Sequence, residues 1–390
     1  MARGEILSAQ VESIAAGGAG ITRLGGKVVL INLTAPGDRI KYRITNEKKT
    51  WAQGELLEIL EASPQRIEPV CRHYGLCGGC SLQHLAYEAQ IEAKTAILRS
   101  AFERIGRINT PIIRVIRSAP FEYRNRIRFH IIQGADGELK GRPGFMERGS
   151  TRLVAVDDCP VADAGIRKAL KKGDFLPSGN YKYLNVFSSG NTFLLEGGQE
   201  RSGVSILGRE LIMDLKVFFQ SNTAVLELLI GDLLQIAETS DKNLPLADIY
   251  SGVGTFSSFL GSEFQKIDLV EENRVALDLA RENMPKGKKV NYFAMTDTAW
   301  VKIIEKINKK SWGFMVLDPP RSGLSAPLRK WLAQKGPALA AYVSCDPATA
   351  ARDGRILVEG GYTLKELTLY DFYPQTAHIE SLAVFSREAQ

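Results

Sequence analysis

The sequence predicts an α/β protein: a Rossmann-like, doubly wound parallel sheet preceded by a small OB-like β-barrel and a β-rich central region. Three observations predict it. Short strand-like runs crowd residues 1–62 between glycine- and proline-rich turns. From about residue 211, apolar strands alternate with helices, as in a parallel sheet wrapped on both faces. Between these parts, residues 119–210 are strand-rich and irregular.

In chain order, strands are expected over 6–14, 26–32, 39–44 and 51–60, with turns at 16–20 and 35–38. Residues 63–84 carry a cysteine group, and 85–106 are helical by composition and spacing. Residues 124–130 alternate as a strand with a basic face, which fits contact with phosphates or a plain exposed face equally. A helix then runs through 224–234 and a strand through 245–250, followed by a glycine turn and a helix. A second strand ends at Glu271 before a helix over 273–283, and further strands cover 314–318 and 340–344. The expected division is 1–62, then 63–84 with 119–210, then 85–118 with 211–390.

A chain of 390 residues with 44% hydrophobic content can bury more than one core. No apolar run is long enough to span a bilayer, and Met-Ala-Arg-Gly-Glu-Ile-Leu lacks the apolar stretch of a signal peptide, so a cytoplasmic protein is expected. Five cysteines, an odd number, argue for metal or catalytic use over a disulfide framework. The net charge is +6, yet residues 1–130 hold 19 Lys and Arg against 12 Asp and Glu. A basic front half suits a polyanionic partner, and on charge alone a solvated basic surface fits as well. No signal for self-association is visible, so a monomer is expected.

Asp248-Ile-Tyr-Ser-Gly-Val-Gly-Thr-Phe256 puts a glycine turn at the carboxyl end of a strand, where backbone can approach a ligand closely. It is not Gly-x-Gly-x-x-Gly. With Glu271 ending the next strand, placed to accept hydrogen bonds from ribose hydroxyls, it suits a nucleoside without pyrophosphate, such as S-adenosylmethionine. Asp318-Pro-Pro-Arg321 follows another strand, and its two prolines stiffen a loop at the same edge. Arg321 stands where an aromatic residue accompanies methylation of exocyclic amines, which makes an amine target a poorer fit.

Cys345 lies in Ser344-Cys-Asp-Pro347, and Glu380 closes Thr376-Ala-His-Ile-Glu380. Uracil C5 is a poor nucleophile. Thiolate addition at C6 makes an enolate that attacks a methyl donor, and a base then removes the C5 proton; Cys345 and Glu380 match those two needs. Singly, Cys345 reads as an inert thiol and Glu380 as a surface charge. The order of the motifs favours the catalytic reading. Cys71, Cys77 and Cys80, with Cys159 as the fourth, supply enough thiolates for tetrahedral zinc or a cubane cluster, and the spacing leaves both open. His73 and His84 are expected beside that site and not in it.

Phe218-Phe-Gln-Ser-Asn222, Asp248 to Phe256, Val270-Glu271, Asp318-Pro-Pro-Arg321, Ser344-Cys-Asp-Pro-Ala-Thr349, Ala351-Arg-Asp353 and Thr376 to Glu380 resemble, in order, the motifs of the RNA uridine C5-methyltransferases. The resemblance implies Cys345 as nucleophile and Glu380 as base, with Gln220, Tyr250, Thr255, Glu271 and Asp318 around donor and target base. It implies that 1–62 is an RNA-binding TRAM barrel. It also implies that Cys71, Cys77, Cys80 and Cys159 hold a [4Fe–4S] cluster, structural or RNA-contacting, in preference to zinc. The implied substrate is a uridine in a single-stranded loop, in 23S ribosomal RNA ahead of transfer RNA. Departures are Asp346 for the usual Asn, Thr255 for Asn and Ser251 for Cys. Asp346 keeps alive a non-catalytic RNA-binding or folding factor, and a cytosine C5-methyltransferase would share the cysteine chemistry.

Overall fold

A computed structural model of the chain describes residues 3–132, 141–173, 181–307 and 311–388. Its largest element is an eight-stranded sheet. In spatial order the strands are Lys289–Ala294, Lys266–Glu271, Leu246–Ile249, Phe314–Leu317, Leu339–Ser344, Glu380–Ser386, Thr363–Tyr370 and Ile113–Ile116. Glu380–Ser386 is antiparallel to both neighbours, and the other pairings are parallel. The order reverses direction between Leu246–Ile249 and Phe314–Leu317, the switch point where open sheets of this kind bind ligands.

The strands are apolar on both sides because helices cover both faces. Leu246, Phe314, Val316 and Ala341 pack with Leu226, Leu229 and Leu233 of the helix Thr223–Glu238. The alternating residues Ala247, Met315, Leu317 and Ala340 pack against Trp300, Trp312, Trp331 and Leu328 on the other face. Asn273, expected as the first helical residue, is instead the N-cap of Arg274–Asn283: its side chain accepts from the amides of Val275 and Ala276.

The first six strands, Ile6–Gln10, Ser13–Ile14, Gly20–Leu24, Lys27–Ile31, Arg39–Glu47 and Trp51–Glu61, form one sheet around Val29, Ile31, Ile40, Tyr42 and Ile44. Gly20–Leu24 was not expected as a strand. Asp38, fully buried, is gripped by the Arg66 guanidinium at 2.7 and 2.8 Å, fixing this sheet to the segment that follows.

The middle of the chain adds a five-stranded antiparallel sheet that includes Arg126–Ile131 and Tyr183–Ser189. The helix Ala164–Lys172 packs on it through Ile166, Ala169 and Leu170, where only strands and irregular chain were expected. The hairpin Arg201–Ile206 and Arg209–Asp214 spans the expected boundary at 210, and its Val204, Ile206, Leu211 and Met213 join the core of the large sheet. Among the described residues no helix is long and apolar enough to cross a membrane.

Candidate active site

One cavity of about 800 Å³ opens at the carboxyl ends of the parallel strands. Gln220, Tyr250, Thr255, Glu271, Asp318, Cys345 and Glu380 all line it. Sheet topology explains how residues so far apart in sequence meet. Cys345 follows the last residue of Leu339–Ser344. Glu380 is the first residue of the reversed strand beside it, where Ser344 pairs with Ser381. A reversed strand begins where its parallel neighbours end, so thiol and carboxyl arrive at one edge.

The glycine turn is shaped by its backbone. Tyr250 has φ +66°, in the left-handed region, and both its amide and that of Ser251 donate to the Val270 carbonyl, at 2.9 and 3.1 Å. Gly254 (φ +75°) starts the helix Thr255–Leu260. The Glu271 carboxylate accepts from the amides of Gly252 (3.0 Å) and Asn273 (2.7 Å) and faces the cavity. Gln220 Oε1, Ser251 Oγ and Asp248 Oδ1 are buried without a hydrogen-bond partner among the described residues. Buried polar atoms are seldom left so, and the two of them that line the cavity, on Gln220 and Ser251, mark a place where a polar ligand completes the bonding.

Asp297, not singled out by the sequence, accepts from the Tyr250 hydroxyl (2.7 Å) and the Ser325 amide (3.2 Å) and lines the same cavity. The missing signal was the strand Lys289–Ala294. Had that strand been recognised, an acid so soon after its carboxyl end would have stood out. The loop after Asp318 is held by Asp353, whose carboxylate accepts from the Leu324 amide (2.8 Å), the Tyr342 hydroxyl (2.9 Å) and Arg329 (2.7 Å).

The site holds acidic groups in little water. Burial, then the Asp248 carboxylate, pushes Asp318 up to about 7. Burial also lifts Asp248 to about 6 and Glu380 well above the usual carboxylate range, with Asp318 adding to the latter. Cys345 is pushed up to about 11 by burial first, then by Glu380 and Asp318, while Arg321 opposes. Arg321 lies 3.4 Å from His378, which burial and then Arg321 and Arg124 hold down to about 4. Arg124 sits over the Tyr373 ring at 5.6 Å. Arg124 and Arg321 thus bring positive charge to the rim of a cavity whose floor carries carboxyl groups. Asp346 is the N-cap of Pro347–Glu359 and accepts from the Thr349 amide at 2.8 Å, a bond that Asn would make equally, so the departure leaves the cap intact.

Cys71, Cys77, Cys80 and Cys159 come close enough to act on one another. Burial, then neighbouring thiols of the set, raises Cys80 to about 11 and Cys159 to about 12. Among the described residues, however, no group of three or more His, Cys, Asp or Glu side chains is arranged to hold a metal ion, so the geometry lends the expected [4Fe–4S] cluster no direct support. His84 is engaged at both ring nitrogens, by the Tyr74 hydroxyl (2.5 Å) and the Thr34 carbonyl (3.0 Å).

A Rossmann-like sheet with this glycine turn, an acid on the next strand and unpartnered polar atoms at its switch point defines a methyltransferase fold of the S-adenosylmethionine-dependent class. Residues 188–388 match the tRNA (uracil-5-)-methyltransferase family. The chain belongs to that family, the RNA uridine C5-methyltransferases. A protein of Treponema denticola described as an uncharacterized RNA methyltransferase is 33% identical over 394 residues, spanning 93% of this chain and 94% of that one. A 23S rRNA (uracil(1939)-C(5))-methyltransferase of Shewanella denitrificans is 29% identical over 445 residues, spanning 94% and 93%. The crystal structure of the Pyrococcus abyssi tRNA (uracil-54, C5)-methyltransferase in complex with S-adenosyl-L-homocysteine shares the fold, with a TM-score of 0.74 at 23% identity over 97% of this chain and all of that one.

Proposed function

We propose that the protein methylates C5 of a uridine in RNA, with Cys345 as nucleophile and Glu380 as base. The observation that carries this reading is the meeting of Cys345 and Glu380 in one cavity across the Ser344–Ser381 pair. When bound, S-adenosylmethionine supplies the methyl group and a positive sulfonium. Gln220, Ser251, Thr255, Glu271 and Asp318 offer it polar atoms, and Tyr250 with Asp297 forms a further wall. The Cys345 thiolate adds to C6, and the electron pair released to C5 forms the bond to the methyl carbon as the methyl–sulfur bond breaks and its electron pair stays on sulfur, which leaves as the neutral thioether. Glu380, as carboxylate, then takes the C5 proton. The electrons of that C–H bond restore the C5–C6 double bond and expel the thiolate. Both groups need their charged forms, and burial opposes charging in both, pushing each above its ordinary range. A positive charge entering beside them, together with Arg321, favours ionisation.

Cys345 is only partly exposed, so the target base must leave its stack to reach it; an unpaired loop is the proposed substrate. The 23S-acting relative favours ribosomal over transfer RNA. We assign Cys71, Cys77, Cys80 and Cys159 as the thiols that would hold a [4Fe–4S] cluster, in a structural role. The resemblance of Cys71, Cys77, Cys80 and Cys159 to the cluster motif of ribosomal members of the family supports this, and iron and sulfide determination on anaerobically prepared protein decides it, with zinc or no metal overturning it. The reaction is tested by transfer from labelled S-adenosylmethionine to unmodified total RNA, followed by nucleoside separation. Label in 5-methyluridine, lost in Cys345→Ala, is expected. Label in 5-methylcytidine, or donor binding without transfer to any RNA, would overturn the reading.

A further inference from the structure

The segment 371–379 joins Thr363–Tyr370 to the reversed strand and contributes Tyr373 and His378 to the cavity before ending at Glu380. At its centre Gln375 has φ +67°, a conformation that side-chain-bearing residues adopt only when their surroundings enforce it. Those surroundings are unusually complete. The Gln375 amide donates to Gln90 Oε1 at 2.8 Å, and Gln90 Nε2 donates back to Gln375 Oε1 at 3.0 Å. Gln375 Nε2 donates to the Pro120 carbonyl at 3.2 Å. The Gln375 carbonyl accepts from two successive amides, Ser81 (3.0 Å) and Leu82 (2.9 Å), and Ser81 Oγ accepts from the Ala377 amide at 2.9 Å.

Gln375 therefore spends both ends of its side chain and both backbone groups on three other parts of the chain. One is the helix Tyr87–Ala101, which carries Gln90. Another is the segment at Pro120. The third is the cysteine segment, since Ser81 follows Cys80 directly. The turn of the first sheet closes on the same point: a Cβ at Gly18 (φ +91°) would lie 2.8 Å from Ser81 Cβ and 3.2 Å from Ala377 Cβ. Nothing in the proposed chemistry requires Gln375 to touch substrate, and it is 2% exposed. It lies five residues before Glu380, on the loop that leads into the first residue of that strand.

We infer that Gln375 is a positioning residue for the base: the clamp of Gln90 and Ser81 on Gln375 sets the presentation of Glu380 to Cys345, and it makes proton removal depend on the placement of the cysteine segment. This rests on the proposed roles of Cys345 and Glu380. Impaired proton removal has its own signature. The methyl group is transferred and the Cys345–C6 bond forms, but the C5 proton stays, so thiolate cannot leave and protein remains joined to RNA.

The test is a denaturing gel of the full-length protein with end-labelled, unmodified total RNA and S-adenosylmethionine, alongside steady-state turnover. Gln375→Ala is expected to lower kcat on the order of tenfold to a hundredfold, the scale of a small misplacement of a reacting group. KM for the donor should stay within about twofold, and the RNA–protein band should strengthen. Turnover within about twofold of wild type in a folded Gln375→Ala protein overturns the inference, as does lost turnover with no gain in the joined species. If Gln375→Ala does not fold, Ser81→Ala removes only the bond to the Ala377 amide; a folded Ser81→Ala protein with no rise in the joined band overturns it too. Glu380→Gln separates the two levels. If that variant gives no joined species, the proposed mechanism has failed; if it does and Gln375→Ala behaves as wild type, only the positioning role has.

Discussion

Asp248 is wholly buried, and one of its carboxyl oxygens accepts from Ser257 Oγ at 2.6 Å while the other has no partner among the described residues. Burial holds its pKa at about 6, against 3.8 for an ordinary aspartate. The folded state therefore binds a proton that the unfolded state has released between those two values. A raised folded pKa gives stability that is fully present below pH 4 and lost as pH climbs through 6. The gap of roughly two pH units, at about 1.36 kcal/mol each, amounts to ~3 kcal/mol, of which about 2 kcal/mol falls between pH 4.5 and 7.5. Asp248→Asn keeps an acceptor for Ser257 and cannot ionise. Whatever constant penalty its amide brings, its stability relative to wild type should improve by about 2 kcal/mol from pH 4.5 to 7.5. Loss of the Asp248 charge also relieves Asp318, which acts in the same direction. Urea unfolding of both proteins across that range, followed by the fluorescence of the packed Trp300, Trp312 and Trp331, reads the difference within the large sheet. A relative stability that stays flat with pH, or falls, would refute the claim that Asp248 is a desolvated acid in the folded protein.

Three further outcomes follow from the same geometry. With Cys345 pushed up to about 11, its alkylation by iodoacetamide in the free protein should accelerate about tenfold per pH unit from 7 to 9.5; a plateau below pH 9 would show a thiolate already formed. Gly254→Ala puts a side chain on a residue at φ +75°, with its Cβ 2.6 Å from the end of Met284, and should cost about 1 kcal/mol or more of local stability. It should weaken S-adenosylhomocysteine binding by calorimetry, and unchanged affinity would separate the turn from the donor site. Lys94 and Asp371 form a fully buried ion pair at 2.6 Å beneath the loop that ends at Glu380. Lys94→Met leaves Asp371 uncompensated and should destabilise the protein by about 3–5 kcal/mol, seen as a fall in Tm; a Tm near wild type would show the pair to be dispensable.

Some of this structure is local in the sequence and some is not. The glycine turn, the Asp-Pro-Pro loop and the end of Leu339–Ser344 are each written in a few consecutive residues, so the carboxyl edge of the sheet could be read directly. Lys289–Ala294 could not. Its residues Lys-Val-Asn-Tyr-Phe-Ala alternate over only the first four positions and end on three apolar ones, a mixed pattern, and it is an edge strand identified by its partner Lys266–Glu271. Without it Asp297 had no context. The helix Ala164–Lys172 did carry its own signals, Asp163 as N-cap and Gly173 at φ +74°, but nine residues inside a strand-rich stretch were outweighed by their surroundings. Ile113–Ile116 pairs with a strand some 250 positions later, a distance over which no window of sequence carries information.

The reversed strand is the instructive case. Glu380-Ser-Leu-Ala-Val-Phe-Ser386 is buried along almost its whole length, so its pattern says strand without saying which way it runs. Direction is decided by the connection: the short link from Tyr370 to Glu380 can return only as an antiparallel neighbour, since a parallel one needs a crossover of a dozen residues or more. That single reversal brings an acid to the edge where Cys345 ends its own strand. The register is fixed on both sides, by Ser381 against Ser344 and by Phe385 against Ala340 and Leu364. A slip of one residue would turn every side chain of the strand to the opposite face, against two packed cores. Glu380 is the first residue of the strand, so the sheet fixes the face from which it projects, and the clamped loop before it completes its placement.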